Sequence, residues 1–399
     1  MADVKKRLAR LALATSHFTP GSPIDSLELF SGRLEQVADI LGAFNTRGLH
    51  VALYGERGVG KTSIANILAD ALGARVGATR PTSVRVGCTS GNKYQDLWVA
   101  IFKKLGIEVD KYDELQPEHV REQLATLDSP TLVVVDEFDR LTDPDTSTLF
   151  ADTIKLLSDE PTNATILIVG VGDSIEDLVD DHKSVGRALR QVRIPRMSQH
   201  ELEDILTKGT EAIRLKITEE QLHQIASLSE GLPHYTHAMG LFAVQKAIEE
   251  DRDELTDADI ENAKTLSVRK AQHTIVTAYN KATRSAHQDV LFDKVLLACA
   301  LAKKDELGMF AARNVAGPLS TIMGKPMDIP AFARHLKQFS SDERGNILQR
   351  HGEERRFFYR FDDPMMQPHV ILNGLSAKLI DDATLAEIKA EAAKEAEEA

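Results

Sequence analysis

His50-Val51-Ala52-Leu53-Tyr54-Gly55-Glu56-Arg57-Gly58-Val59-Gly60-Lys61-Thr62-Ser63 decides the fold. Its first five residues are a short, mostly apolar run closed by glycine, the pattern of a buried strand. From Gly55 the chain matches G-x-x-x-x-G-K-[ST], and Thr62 to Leu72 continues with helical spacing. The spacing has a physical reason. Glycines let the backbone wrap around phosphates, so that amide hydrogens and a helix N-terminus face negative charge. In such a loop the lysine, Lys61, supplies a point charge to the β- and γ-phosphates of ATP, and the Thr62 hydroxyl coordinates Mg²⁺.

Working outward, Leu132-Val133-Val134-Val135-Asp136-Glu137 lies about 75 residues beyond Lys61. Here an aliphatic strand delivers two carboxylates to the edge of a sheet where ligands of open α/β folds bind. Asp136 is expected to hold Mg²⁺ through water, and Glu137 to polarise the water that attacks the γ-phosphate. Asp139 and Arg140 read as cap and solvating charge of the following helix. Further strands are expected at Ser83–Cys88, Ala164–Val169 and Gln191–Ile194. Helices are expected at Tyr94–Leu105 and His119–Leu127. Strands alternating with helices indicate an α/β core with a parallel sheet covered on both faces.

After Pro195 only helical patterns follow, at Gln199–Ile213, Glu219–Leu228, Pro233–Glu249 and Asp257–Leu266. A third unit begins near Ala286 with Val290–Lys303. It ends in a hairpin signal, where Ile347 to Phe361 flank His351-Gly352-Glu353. The expected organisation is a lead-in at 1–24, a nucleotide-binding core at 25–196, a helical lid and linker at 197–283, a module at 284–375 and an acidic tail at 376–399. The tail, rich in Ala, Glu and Lys from Ala383, reads as a solvated, frayed helix.

The chain has 399 residues and a formal net charge of −13, with 42% hydrophobic and 27% charged residues, an ordinary globular balance. Its two cysteines, Cys88 and Cys299, exclude a disulfide framework and read as buried small hydrophobes in a reducing compartment. No apolar run approaches the roughly 18 to 20 residues that span a bilayer. Arg10 interrupts the apolar stretch of an N-terminus that otherwise faintly resembles a signal peptide, so a cytoplasmic location without membrane contact is expected. Negative net charge argues against nucleic acid, but its distribution is uneven. Residues 281–360 carry 14 Lys/Arg against 9 Asp/Glu, and residues 361–399 carry 3 against 9.

With these motifs in place, residues 25–375 resemble the AAA+ superfamily, in particular its origin-recognition/initiator clade, bordering on STAND-type P-loop NTPases. The resemblance implies a P-loop NTPase parallel sheet (AAA+ core) with a helical lid and a C-terminal winged-helix domain. Leu29-Phe30-Ser31-Gly32-Arg33 resembles the F-x-G-R box that lies against adenine in that clade. Ile168 to Ser174 resembles the sensor 1 strand, which implies that Ser174 or Asp173 bonds the γ-phosphate or attacking water; a helix cap explains the pair equally well. His182 to Arg190 occupies the place of the arginine finger, and alignment favours Arg187 over Arg190. Glu230-Gly231-Leu232-Pro233-His234-Tyr235 stands where sensor 2 is found. The sequence departs from the usual arginine there with His234, and its Gly-Leu-Pro run is closer to the STAND pattern.

The resemblance further implies an ATPase working as a switch, slow or partner-stimulated, within a homo-oligomer or a complex with a partner protein. If the terminal module binds duplex DNA, Arg334 and Lys337 face the major groove, and Arg350, Arg355 and Arg356 touch phosphate from the wing. If it instead contacts a protein partner, none of these residues binds DNA, and the chain is a STAND-like signalling or defence NTPase. A processive remodelling motor is a third reading, for which Tyr94 and Trp98 lie in the region where pore loops occur.

Overall fold

The computed structural model describes residues 2–73, 81–108, 113–172, 185–284, 291–353 and 356–397. In chain order the elements are α1 (Ala2–His17), α2 (Leu34–Phe44), β1 (His50–Gly55), α3 (Lys61–Gly73), β2 (Thr82–Gly87), α4 (Tyr94–Leu105), α5 (Pro117–Leu124) and β3 (Thr131–Asp136). Next come α6 (Pro144–Asp159), β4 (Ala164–Val171), β5 (Leu189–Arg193), α7 (Gln199–Ala212), α8 (Glu219–Leu228), α9 (Pro233–Glu249) and α10 (Asp257–Arg269). The remainder is α11 (His273–Thr283), α12 (Phe292–Leu301), β6 (Phe310–Ala311), α13 (Ala312–Met323), α14 (Ile329–Phe339), β7 (Leu348–His351), β8 (Phe358–Phe361), α15 (Met366–Ser376) and α16 (Asp382–Glu397). The chain forms two compact units: Gly21–Met197, and Met1–Pro20 together with Ser198–Ala399.

In Gly21–Met197 five parallel strands lie in the order β2-β3-β4-β1-β5. All six residues of β3 are buried, as are the first four of β1 and seven of eight in β4. Burial on both faces explains why these strands read as unbroken aliphatic runs. On one side Trp98 and Phe102 of α4 pack with Phe138 and Phe150, and Trp98 stacks on Phe150 at 5.7 Å between ring centroids. Tyr94 joins them through a 2.6 Å hydrogen bond between its hydroxyl and Thr153 Oγ1. Tyr94 and Trp98 are therefore core residues, 3% and 0% exposed, and cannot serve as pore-loop aromatics.

In the other unit α1 lies with α7 and α9. Phe18, just beyond α1, is buried against Gly209 of α7 and Gly240 of α9, where a side chain on either glycine would strike its ring. Thr19 N donates to His237 Nδ1 at 3.3 Å, so the lead-in is fastened to these helices as far as residue 20. Farther along, α12 is followed by β6, then α13 and α14, then the β7–β8 hairpin and α15. The strands form an antiparallel sheet ordered β6-β8-β7, with Gln349 opposite Arg360. Phe332, Leu336 and Phe339, spaced i, i+4, i+7, are the buried face of α14.

The tail reads differently in the structure than in the sequence. Rather than lying wholly in solvent, α16 buries Leu385 and Ile388, and Lys389 Nζ reaches Ser227 O at 2.7 Å and Glu230 Oε1 at 2.5 Å. Lys264, itself 2% exposed, pairs with Asp382 Oδ1 at 2.7 Å. Two apolar anchors and two lysine bridges dock the first half of this helix within its unit.

Candidate nucleotide site

The loop after β1 depends on glycine where its backbone turns. Gly55 and Gly60 have φ of +148° and +96°, a region that L side chains rarely adopt. A Cβ on Gly55 would also strike the Ile194 carbonyl, because β1 runs tightly against the segment leaving β5 and Ile194 N donates to Tyr54 O at 2.7 Å. Val59 is buried and pins the crest, while Arg57 is exposed. Glu56 is bound by Arg196, with Nε at 2.6 Å from Oε2 and Nη2 at 3.3 Å from Oε1. Ser63 Oγ accepts from Ile24 N at 3.0 Å, so the first turn of α3 holds the incoming chain.

Lys61 opens α3 and is 9% exposed. Its ammonium donates to the carbonyls of Gly55 at 2.9 Å and Glu56 at 2.7 Å. Burial pushes its pKa down from the usual lysine range to about 8, against the opposing pull of Asp139, Asp136 and Glu56. Thr62 Oγ1 donates to Asp136 Oδ2 at 3.1 Å, joining the helix start to the end of β3. Asp136 is 2% exposed, and its other oxygen accepts from Glu137 N at 2.8 Å.

Glu137 follows with φ +55°, a left-handed turn that carries its side chain away from the strand direction. Its carboxylate is half exposed and pairs with Arg140 at 3.0 Å. Asp139 accepts from Val171 N at 2.7 Å, at the end of β4. These two residues thus serve the site rather than the following helix: Asp139 fastens β4, and Arg140 holds Glu137. The cap position before α6 belongs to Asp143, whose carboxylate accepts from Thr146 Oγ1 at 2.7 Å.

The residues present fit magnesium and a triphosphate. Thr62 and Asp136 provide a hydroxyl and a carboxylate within hydrogen-bond reach of each other. The loop before α3 has the backbone freedom to turn its amides toward an anion, and Lys61 sits at its centre.

The other expected site residues are distributed as follows. Ser174, Asp173 and Arg355 lie outside the described residues. Arg187 is exposed in a short 3-10 turn and makes no side-chain hydrogen bond or ion pair among the described residues, whereas Arg190 is paired with Asp39 at 2.5 Å. Among the described residues, then, Arg190 is tied to an acid and Arg187 is not. Arg33 in the F-x-G-R box is 6% exposed, has φ +61° and donates to Pro195 O at 2.6 Å.

In its own unit, His234 Nδ1 lies 2.6 Å from Pro20 O. A carbonyl only accepts, so Nδ1 carries the hydrogen and neutral His234 has only a lone pair at Nε2. Burial lowers its pKa. In this state it is not a phosphate donor, and protonation would be needed to make it one. The same segment carries Glu230, bound by Lys389 and by Gln367 Nε2 at 2.6 Å, and Tyr235, whose hydroxyl donates to Met365 O at 2.8 Å. Arg334 and Lys337 on α14 are exposed, as are Arg350 and Arg356 around the hairpin, and Arg350 stacks on Phe357 at 4.5 Å.

Sequence reading missed Arg85. Its Nη2 donates to Asp136 Oδ2 at 2.5 Å and its Nη1 to Asn66 Oδ1 at 2.5 Å. A single arginine in a weakly alternating strand carries no local signal. Only the adjacency of β2 and β3 brings it to the acid.

A parallel sheet ordered β2-β3-β4-β1-β5, with a glycine-rich loop after β1 and an acidic pair after β3, is the fold of a P-loop NTPase core. Residues 45–179 match the family model of the AAA domain. Over more than nine-tenths of its length the chain shares the fold of two solved Aeropyrum pernix proteins. It is 16% identical to the Aeropyrum pernix ORC1 protein, solved in complex with DNA, at a TM-score of 0.51 over 93% of this chain and 97% of that one. It is 14% identical to the ORC2 protein of the same organism, solved in ADPNP–ADP complexes, at 0.50 over 91% and 98%. A Walker-type ATPase of Pyrococcus abyssi is 16% identical at 0.55, over 89% and 99%. No curated protein matches the chain at a significant level. No helix of the described residues is long and apolar enough to cross a membrane.

Proposed function

We propose that this protein is an Mg-ATP-driven switch that hydrolyses ATP slowly and acts on duplex DNA through its C-terminal module. The observation that carries the reading is the convergence of Lys61, Thr62 and Asp136, from the start of one helix and the end of a strand two places away in the sheet. Lys61 would exchange the Gly55 and Glu56 carbonyls for the β- and γ-phosphates, and the amides at the start of α3 would bind the same charge. Thr62 and Asp136 would hold Mg²⁺, which when bound neutralises phosphate charge and orients the γ-phosphoryl group. Glu137, released from Arg140, would accept the proton of the attacking water. Arg187 would stabilise transition-state charge in the site of a neighbouring subunit, a contribution of ~10³–10⁵ in rate when an arginine finger is supplied in trans.

The DNA reading is supported by the exposed Arg334, Lys337, Arg350 and Arg356. They lie on an arrangement of helices and hairpin that suits a winged helix, and the similar ORC1 protein was solved with DNA. Within the same unit, Glu230 is bonded to both α15 and α16, so a change at this segment would be felt by the C-terminal helices.

The test is fluorescence anisotropy of labelled duplex with ATP, ADP or neither, at two salt concentrations. Binding that depends on nucleotide, falls with salt and is weakened by Arg334→Ala/Arg350→Ala is the expected result. Binding absent in every state would make the module a contact for a protein partner.

A further inference from the structure

Asp136 is held by more cationic charge than the phosphate loop requires. Its Oδ2 accepts two hydrogen bonds, from Thr62 Oγ1 at 3.1 Å and from Arg85 Nη2 at 2.5 Å. The guanidinium therefore sits on the carboxylate oxygen and beside the hydroxyl that together would face a metal ion. Its second arm is on Asn66, one helical turn beyond Thr62 on α3. The Lys104 ammonium holds the Arg85 backbone carbonyl and does not touch the guanidinium. Exposure separates the two partners: Asp136 is 2% exposed, but the Arg85 side chain is 40% exposed and can leave into solvent.

We propose that Arg85 is a positioning residue that competes with the divalent cation for Asp136, and so sets the Mg²⁺ concentration at which nucleotide is captured. The inference rests on the ATP-binding reading above. A guanidinium and a divalent cation brought to one carboxylate repel each other, so the two would share Asp136 only at a cost. Binding Mg-nucleotide then moves Arg85 off the acid, while nucleotide without metal leaves the pair intact. A guanidinium that only braced β2 against α3 would affect folding and leave the metal dependence alone.

The experiment is equilibrium titration of MgCl₂ into protein with a fluorescent ATP analogue, comparing wild type with Arg85→Met and Asn66→Ala. Direct Mn²⁺ binding followed by electron paramagnetic resonance gives a readout independent of turnover. Arg85→Met is expected to lower the half-saturating Mg²⁺ and Mn²⁺ concentrations by at least about fivefold, the low end of ordinary coupling between ligands of one site. Analogue affinity in EDTA should stay unchanged. Asn66→Ala, which frees one arm of the guanidinium, is expected to shift in the same direction by less, and it carries the test if Arg85→Met does not fold. Equal half-points in wild type and the folded variants, or a rise in the variants, would overturn the competition while leaving ATP binding intact. Failure of wild type to bind the analogue with or without metal would overturn the ATP reading and this inference together.

Discussion

At the residue scale, the pKa of about 8 at Lys61 makes nucleotide capture depend on pH in a defined direction. Bound phosphates favour the charged ammonium, so the lysine's pKa is higher with nucleotide than without it. Below pH 8 the free protein already carries the charge. Above it, binding must take up a proton, and affinity falls as pH rises from 8 toward the bound-state pKa, by up to about tenfold per pH unit. Calorimetric titration between pH 7 and 10 should show this fall in wild type. Lys61→Arg, whose charge persists over the whole range, should give a flat profile at whatever affinity it retains; a flat wild-type profile would contradict the assignment. Lys61→Ala should abolish binding. Glu137→Gln should keep binding and lower hydrolysis by ~10²–10⁴, the usual worth of a positioned general base, and single-turnover rates check it. The phosphate loop and the acidic pair were legible from sequence because their chemistry demands fixed local spacing. Arg85 was not, because its role depends on which strand neighbours β3.

At the element scale, the wedge of Phe18 between α7 and α9 gives a sharper test than its burial alone. Truncating a buried Phe costs about 3–5 kcal/mol, so Phe18→Ala should lower the melting temperature of its unit. Gly209→Ala should also destabilise, because the added methyl enters the ring's space. In the double variant the methyl meets no ring. The two effects should therefore fall short of additivity, by about 1 kcal/mol or more in a double-mutant cycle from denaturant unfolding; strict additivity would mean that the ring does not fill this gap. Packing of this kind links residue 18 to residues 209 and 240, a connection no periodicity reveals. A helix was expected after Arg140, but the extent and buried face of α6 were not legible for a related reason. Two of its buried positions are Thr146 and Thr153, satisfied by Asp143 and Tyr94, so its apolar stripe is interrupted by polar residues that look solvent-facing. The docked half of α16 was hidden because Leu385 and Ile388 are its main apolar anchors in a run of Ala, Glu and Lys.

At the scale of the whole molecule, both units bury a histidine in a state that acid must disrupt. Burial lowers His50 in Gly21–Met197, and His237 and His369 in the other unit, from the usual value to about 4. At His50 and His237 the geometry adds a reason. Nδ1 of each accepts a backbone amide, from Ile166 at 3.0 Å and from Thr19 at 3.3 Å, so protonation there requires breaking that bond. The unfolded chain binds these protons near pH 6.5 and the folded chain near pH 4. Between those values the unfolded state holds more protons, so stability is fully present above pH 6.5 and is lost as pH falls toward 4. Melting temperature should therefore be nearly level from pH 8 to 6.5 and then decline steeply, in scanning calorimetry at constant ionic strength. Carboxylates contribute their own losses near the acid end, so the assignment needs a variant. His50→Asn and His237→Asn place an amide oxygen where Nδ1 accepted, without a titrating group. Relative to their own values at pH 7.5, both variants should lose less melting temperature on acidification to pH 5 than wild type does. An unchanged slope in both would move the acid sensitivity away from these histidines and onto the carboxylates.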